Sequence, residues 1–314
     1  MNGRDKLHIN LKMDKTKIFI IDIFIIFLIN ENDRLLNKNI IHKYSIKKNI
    51  YTFWEPKEKM PGYLQLCIKT WKKFFPGYNI TILDYETTKN LLGETLFFNI
   101  ICKKMAKSKQ ADAIRVALLK KYGGIWMDAD SIILNSEFIK KFHNYELGMI
   151  GFKEYQFQFI GFIYGKENCS ILNEWLEEII TRVKIYKNSL KYRNNSNYWK
   201  KIYEKADSFD YLGNGIIDPL LKNISNKKFF RLESNTINPL PERNYFKGSS
   251  LNDKEKYRLF YFQKGNPNII FKYAKYLLLL HNSWTLEKYK NMSENEFLNQ
   301  DILLSKLFQK ILKE

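Results

Sequence analysis

KKYGGIWMDADSII, residues 120–133, decides how this chain is read. Before it runs AKSKQADAIRVALLKKYGG, a helical pattern that is apolar on nearly every face, with Gly123 as its natural C-cap. The tripeptide Ile125-Trp126-Met127 then reads as a short buried strand, and Asp128 and Asp130 follow it one residue apart. In extended backbone residues i and i+2 point the same way, so the two carboxylates can converge on one point. Acids crowded like this repel each other unless a cation lies between them. A divalent metal is one answer. Two solvated acids at a helix-to-strand corner are the other, and the apolar tripeptide before them argues against it.

Outward from that stretch, strand and helix alternate. NIYTFWE (49–55) has strand character, GYLQLCIKTWKKFF (62–75) helical spacing, and YNITILD (78–84) strand character again, followed by a helix over 85–92. Such alternation predicts an α/β fold with a mostly parallel central sheet flanked by helices. Ligands of such sheets bind outside the carboxyl ends of the strands, where Asp128 and Asp130 would lie. Downstream, ELGMIGFKE and FIGFIYGKE read as a pair of strands, and CSILNEWLEEIITRVKIYK as an amphipathic helix. Residues 186–201 read as an exposed loop, SFDYLGNGIIDPLLKN as a turn entering a short helix, and KYLLLLHNSW as a buried strand running into a polar turn. With no internal repeat or flexible linker, the economical division is a lead-in (1–47), one elaborated domain (48–290) and a C-terminal helix (291–314).

At 314 residues, with 45% hydrophobic residues and 23 Phe, 20 Tyr and 6 Trp, the chain has ample material for a packed core. The formal charge of +19 suits nucleic acid, anionic lipid or phosphorylated substrates, and equally a plain lysine-rich composition, because the lysines are scattered. No basic stripe or recognition module is legible, so nucleic acid is not an expected partner; a nucleic-acid binder would also leave the paired aspartates unexplained. Cys67, Cys102 and Cys169 are widely spread and odd in number, which fits free thiols in a reducing compartment. With four histidines in all, a metal here would be held mostly by oxygen. The run IFIIDIFIIFLI (18–29) is shorter than the ~20 residues a bilayer span needs. No small-residue cleavage site follows it, so its expected place is a membrane interface or the surface of the domain. The resulting localisation is cytoplasmic, with peripheral attachment to the inner face of the cell membrane a further expectation.

Asp112 and Arg115 share one face of the greasy helix, three residues apart. Buried charges must be paired or used, and the expected use is to line a polar cavity, with Arg115 meeting phosphate or carboxylate oxygens bidentately. The whole constellation, Asp112-x-x-Arg115 through Tyr122-Gly123-Gly124-Ile125-Trp126-x-Asp128-x-Asp130, resembles the sugar-binding region of the DXD glycosyltransferases that include capsular polysaccharide synthesis proteins and initiating mannosyltransferases. The opening IYTFWEPKEKMPGYLQLCIKTWKKFFPGYNITILD is similar to that of the capsular group, and the likeness thins after Gly151 until HNSW (281–284). The resemblance implies a GT-A-type fold, a UDP- or GDP-linked sugar donor, a Mn²⁺ or Mg²⁺ ion, a glycan or glycolipid acceptor and retention of anomeric configuration. It implies Asp128, Asp130 and His281 as the metal site, with Asp128 toward the ribose and the metal shell, and Asp112 and Arg115 as holders of the sugar and phosphate. Ser283 and Trp284 would contact the diphosphate. Trp54 would stack on the base, although a ring there packs equally well as core. Family members carry Gly-Pro where this chain has LGNGIID, so Asn214 and Asp218 receive no acceptor role. Aspartyl phosphatases and phosphotransferases also begin with strand–Asp-x-Asp, but there the first Asp ends the first strand of the domain.

Overall fold

A computed structural model describes residues 47–152, 157–222, 224 and 228–313. The apolar run 18–29 lies outside them. Contacts divide the chain into Met1–Ser45 and Ile46–Glu314, and the fold below is that of the second unit.

Its strands are β1 (Asn49–Phe53), β2 (Asn79–Leu83), β3 (Gly124–Met127), β4 (Ser131–Ile133), β5 (Leu147–Phe152), β6 (Phe157–Gly165), β7 (Phe229–Glu233) and β8 (Leu277–Leu279). The longer helices are α1 (Gly62–Phe74), α2 (Tyr85–Leu92), α3 (Glu94–Ile100), α4 (Lys107–Tyr122), α5 (Ser170–Tyr192), α6 (Asn197–Ala206), α7 (Asn214–Leu221), α8 (Asp253–Tyr261) and α9 (Leu303–Lys313). Six strands form one sheet in the order β2-β1-β3-β6-β5-β7, in which β6 alone runs against the rest. This is the α/β architecture expected, mostly parallel and flanked by helices.

Alternation along the strands splits the core in two. Ile125 and Met127 of β3 join one apolar cluster with α1 and the C-terminal helices, while Trp126 joins the other with α4 and α5. From β1 the chain crosses to β2 on one side and returns through α2, α3 and α4 to β3 on the other. The crevice outside the ends of β1 and β3 is therefore a topological switch point. Trp54 leaves β1 into it and Asp128 leaves β3 into it.

Gly124 permits the corner between α4 and β3. Its φ is +114°, and a Cβ there would lie 2.6 Å from the backbone oxygen of Asn49 on β1. A side chain would thus meet both backbone strain and a neighbouring strand.

Two expectations are corrected. Residues 186–201 are not a loop: α5 continues to Tyr192 and α6 begins at Asn197, leaving a short turn. The tail is helical but in two pieces, Glu294–Leu298 and α9. Outside the main sheet, β4 pairs antiparallel with β8, a pairing that the isolated tripeptide SII did not announce. Among the described residues no helix is long and apolar enough to cross a membrane.

Candidate active site

The end of β3 is held from three sides. The Asp128 backbone N–H donates to Gly161 of β6 (2.8 Å), and Ser131 N–H donates back to the Asp128 carbonyl (3.0 Å), which closes a tight turn. Trp71 of α1 donates through Nε1 to the Ser131 carbonyl (2.7 Å). On the third side, Leu280 N–H reaches the Asp130 carbonyl (2.9 Å), continuing the β4–β8 ladder to the threshold of His281. The sequence-distant HNSW turn is thereby brought beside the two aspartates.

Arg115 ties the acids together. Its Nη2 lies 3.1 Å from Asp112 Oδ1 and 3.2 Å from Asp128 Oδ1, its Nη1 donates to the Ile160 carbonyl, and its guanidinium lies over the Trp126 ring at 5.0 Å. Trp126 Nε1 also donates to Asp128 Oδ1 (2.8 Å). The expected cavity-lining pair is present, but Arg115 is engaged by the protein's own acids rather than held open as a fork for phosphate. Both Asp112 and Arg115 are buried.

Burial pushes the Asp112 carboxyl up to about 7, against the pull of Arg115. Asp130 is also raised to about 7, first by burial and then by the charge of Asp128, while the Asn282 backbone N–H opposes the shift by donating to Oδ2 at 3.0 Å. At both carboxyls, therefore, burial outweighs the favourable charges and donors nearby.

His281 is held between rings, 3.8 Å from Trp284 and edge-on to Tyr257 at 5.5 Å. Its Nε2 is buried without a hydrogen-bond partner, and burial lowers its pKa to about 4, so the imidazole is neutral and has a lone pair to offer. Ser283 is exposed, and neither it nor Trp284 is among the residues lining the cavities described next. Asn282, which sequence reasoning missed, does line one of them, and its Oδ1 accepts from the Tyr63 hydroxyl (2.5 Å).

Two cavities meet at this wall, and Ser108, Arg115, Asp128 and Asp130 line both. The smaller, about 360 Å³, is flanked by Phe53, Trp54, Glu55 and Asn282. The larger, about 420 Å³, runs past Asp112 and His281 to Phe159, Phe209, Asn214 and Arg243. Trp54 both lines the smaller cavity and packs on the core.

Among the described residues no group of three or more His, Cys, Asp or Glu side chains is disposed to hold a metal by itself. The donors present still suit a hard cation that takes one or two carboxylates and completes its shell with phosphate oxygens and water. Asp128 and Asp130 would supply the carboxylates, and His281 lines the same cavity. Asp128 follows the third of the described strands, not the first, which disfavours the aspartyl phosphatase alternative.

A family model described as "Capsular polysaccharide synthesis protein" matches residues 10–212. No curated protein matches. Among solved structures, the PaToxG glycosyltransferase is similar at 20% identity and a TM-score of 0.34, over 64% of this chain and 79% of its own. The glycosyltransferase GlyE of Streptococcus pneumoniae TIGR4 is similar at 12% identity and a TM-score of 0.35, over 85% of this chain and 64% of its own.

Proposed function

The chain belongs to the capsular polysaccharide synthesis protein family, and we propose that, as a glycosyltransferase, it moves a sugar from a nucleotide-sugar donor to a glycan acceptor with the aid of a divalent cation and with retention of configuration. One observation carries this reading: Asp112, Asp128, Asp130 and His281 line a single cavity at the switch point of the sheet.

The smaller cavity, with Trp54 at its rim, would take the nucleoside, and the larger one the sugar and its acceptor. Asp128 and Asp130, with His281 beside them, would hold Mn²⁺ or Mg²⁺. Such an ion supplies positive charge next to the diphosphate and favours its departure. Arg115 fixes Asp128 and Asp112 relative to one another, so the acids need no reorganisation when donor binds. Asp112 is set to hydrogen-bond a hydroxyl of the transferred sugar. As the bond from anomeric carbon to phosphate oxygen breaks, its electron pair leaves with the diphosphate. The acceptor oxygen would bond to that carbon on the face the diphosphate leaves, and its proton would pass to the departing phosphate oxygen. Enclosure by Phe159 and Ile160 limits competition from water.

The test is a panel of nucleotide sugars assayed for cation-dependent hydrolysis and transfer, with Asp130→Asn beside the wild type. The variant should keep its melting behaviour, lose Mn²⁺-dependent binding of nucleoside diphosphate in calorimetry, and lose about 10²–10³ in rate. Ordinary binding and turnover by Asp130→Asn would sink the proposal. NMR of the freshly formed product reads its anomeric configuration, and inversion would remove that part of it.

A further inference from the structure

The hairpin made by α5 and α6 carries a feature that the proposed transfer does not use. Between residues 184 and 205 stand seven basic side chains and a single acid, Glu204. Lys184, Lys187, Lys191, Lys200, Lys201 and Lys205 are all exposed. Aromatic rings sit among them: Tyr192 and Tyr198 are 38% and 66% exposed, and Trp199 lies 5.9 Å from the first and 5.2 Å from the second. Although α6 is ten residues long, Ala206 is its one fully buried residue. The patch extends onto α3, where the exposed Phe98 lies under Lys89 at 5.4 Å and its carbonyl accepts from Lys187 (2.5 Å).

Tyrosine and tryptophan rings with one apolar and one polar edge settle at the headgroup level of a bilayer, and lysines around them meet lipid phosphates. Single-stranded nucleic acid also takes basic and aromatic residues, but along a groove. Here they crowd a projecting hairpin tip, and Tyr192, Tyr198 and Trp199 line neither of the two cavities at the candidate active site. We infer that the tip of the α5–α6 hairpin docks on an anionic phospholipid surface. The return helix gives this a spatial sense: α6 runs from the tip toward Phe209, which is 75% exposed and lines the larger cavity. Ten helical residues rise about 15 Å. A docked hairpin therefore keeps the mouth of that cavity within a short distance of the headgroups. The inference stands on the hairpin alone, whatever reaction the cavity performs.

The experiment is sedimentation of the full chain with vesicles of phosphatidylcholine alone and of phosphatidylcholine and phosphatidylglycerol in equal parts. The wild type should bind the mixed vesicles, less so as salt is raised. A variant with Lys191→Glu, Lys200→Glu and Lys201→Glu should bind them about tenfold or more weakly, with circular dichroism and melting unchanged. Tyr198→Ser should weaken binding and leave its salt dependence intact. Should the charge-reversed chain misfold, the same three positions changed to Gln give the same reading at smaller amplitude. Failure of the wild type to bind mixed vesicles, or equal binding by wild type and variants, which would point to another segment such as 18–29, overturns the inference. Displacement from mixed vesicles by a single-stranded oligonucleotide at lower concentration than lipid would assign the patch to nucleic acid instead.

Discussion

One guanidinium, that of Arg115, reaches both Asp112 and Asp128, while Asp130 meets the backbone N–H of Asn282. Positive charge is thus already provided on one side of the acid pair and scarce on the other, and the proposed cation would sit on the Asp130 side. Trp54 borders the smaller cavity on the same wall. If its ring receives the base, Trp54→Ala should weaken nucleoside diphosphate binding by about 1–3 kcal/mol, read by calorimetry, with little change in Tm. A large fall in Tm with unchanged affinity would return the ring to the core. Most of the wall could be read in the sequence because it rests on side chains of distinctive chemistry at distinctive spacing: Asp112 with Arg115, Asp128 with Asp130, and a lone His281 after four leucines. Asn282 was not legible, since its contribution to Asp130 is a backbone N–H that any residue but proline could offer. Nor was the inward use of Arg115 legible, because it depends on how close Asp128 comes after folding.

At the scale of elements, the corner between α4 and β3 sets the angle at which the acids enter the crevice. Gly124→Ala should cost about 2–4 kcal/mol in urea denaturation, through its positive φ and the contact with Asn49. No loss, or the gain of about 0.4–1 kcal/mol that alanine brings at an unstrained glycine, would show that the corner relaxes easily. The longer elements were legible from their periods and stops: α1 between Met60-Pro61 and Pro76-Gly77, α4 before Gly123, and the hydrophobic β1, β2 and β3. Residues 186–201 misled because asparagine and lysine dominate the stretch, whereas the helix there is kept by rings on its inner face, with Tyr186 stacked on Tyr203 at 5.8 Å. The three-residue β4 carries too few residues for a period, and the pairing of both β4 and β7 is decided by partners distant in sequence.

For the molecule as a whole, Glu242 is a standing cost. It is buried, its Oε2 has no hydrogen-bond partner, and burial raises its pKa to about 7. The unfolded chain releases that proton near pH 4.5, so between about pH 4.5 and 7 the folded state holds the extra proton and stability falls as pH rises. Glu242→Gln should therefore raise stability by about 1–3 kcal/mol at pH 8, and the gain should shrink toward zero below pH 4.5, as followed by Tm across pH. A gain independent of pH would mean that packing, not charge, is responsible. The pairing of β4 with β8 has a consequence of another kind. Residue 131 finds its mate at 279, so a ribosome translating this message releases the acid pair long before the strand that steadies it. Throughout that interval the nascent polypeptide carries an unfinished pocket, which is completed only once residues 277–279 clear the exit tunnel. A premature stop codon between residues 131 and 277 should accordingly silence the enzyme even with Asp112, Asp128 and Asp130 in place.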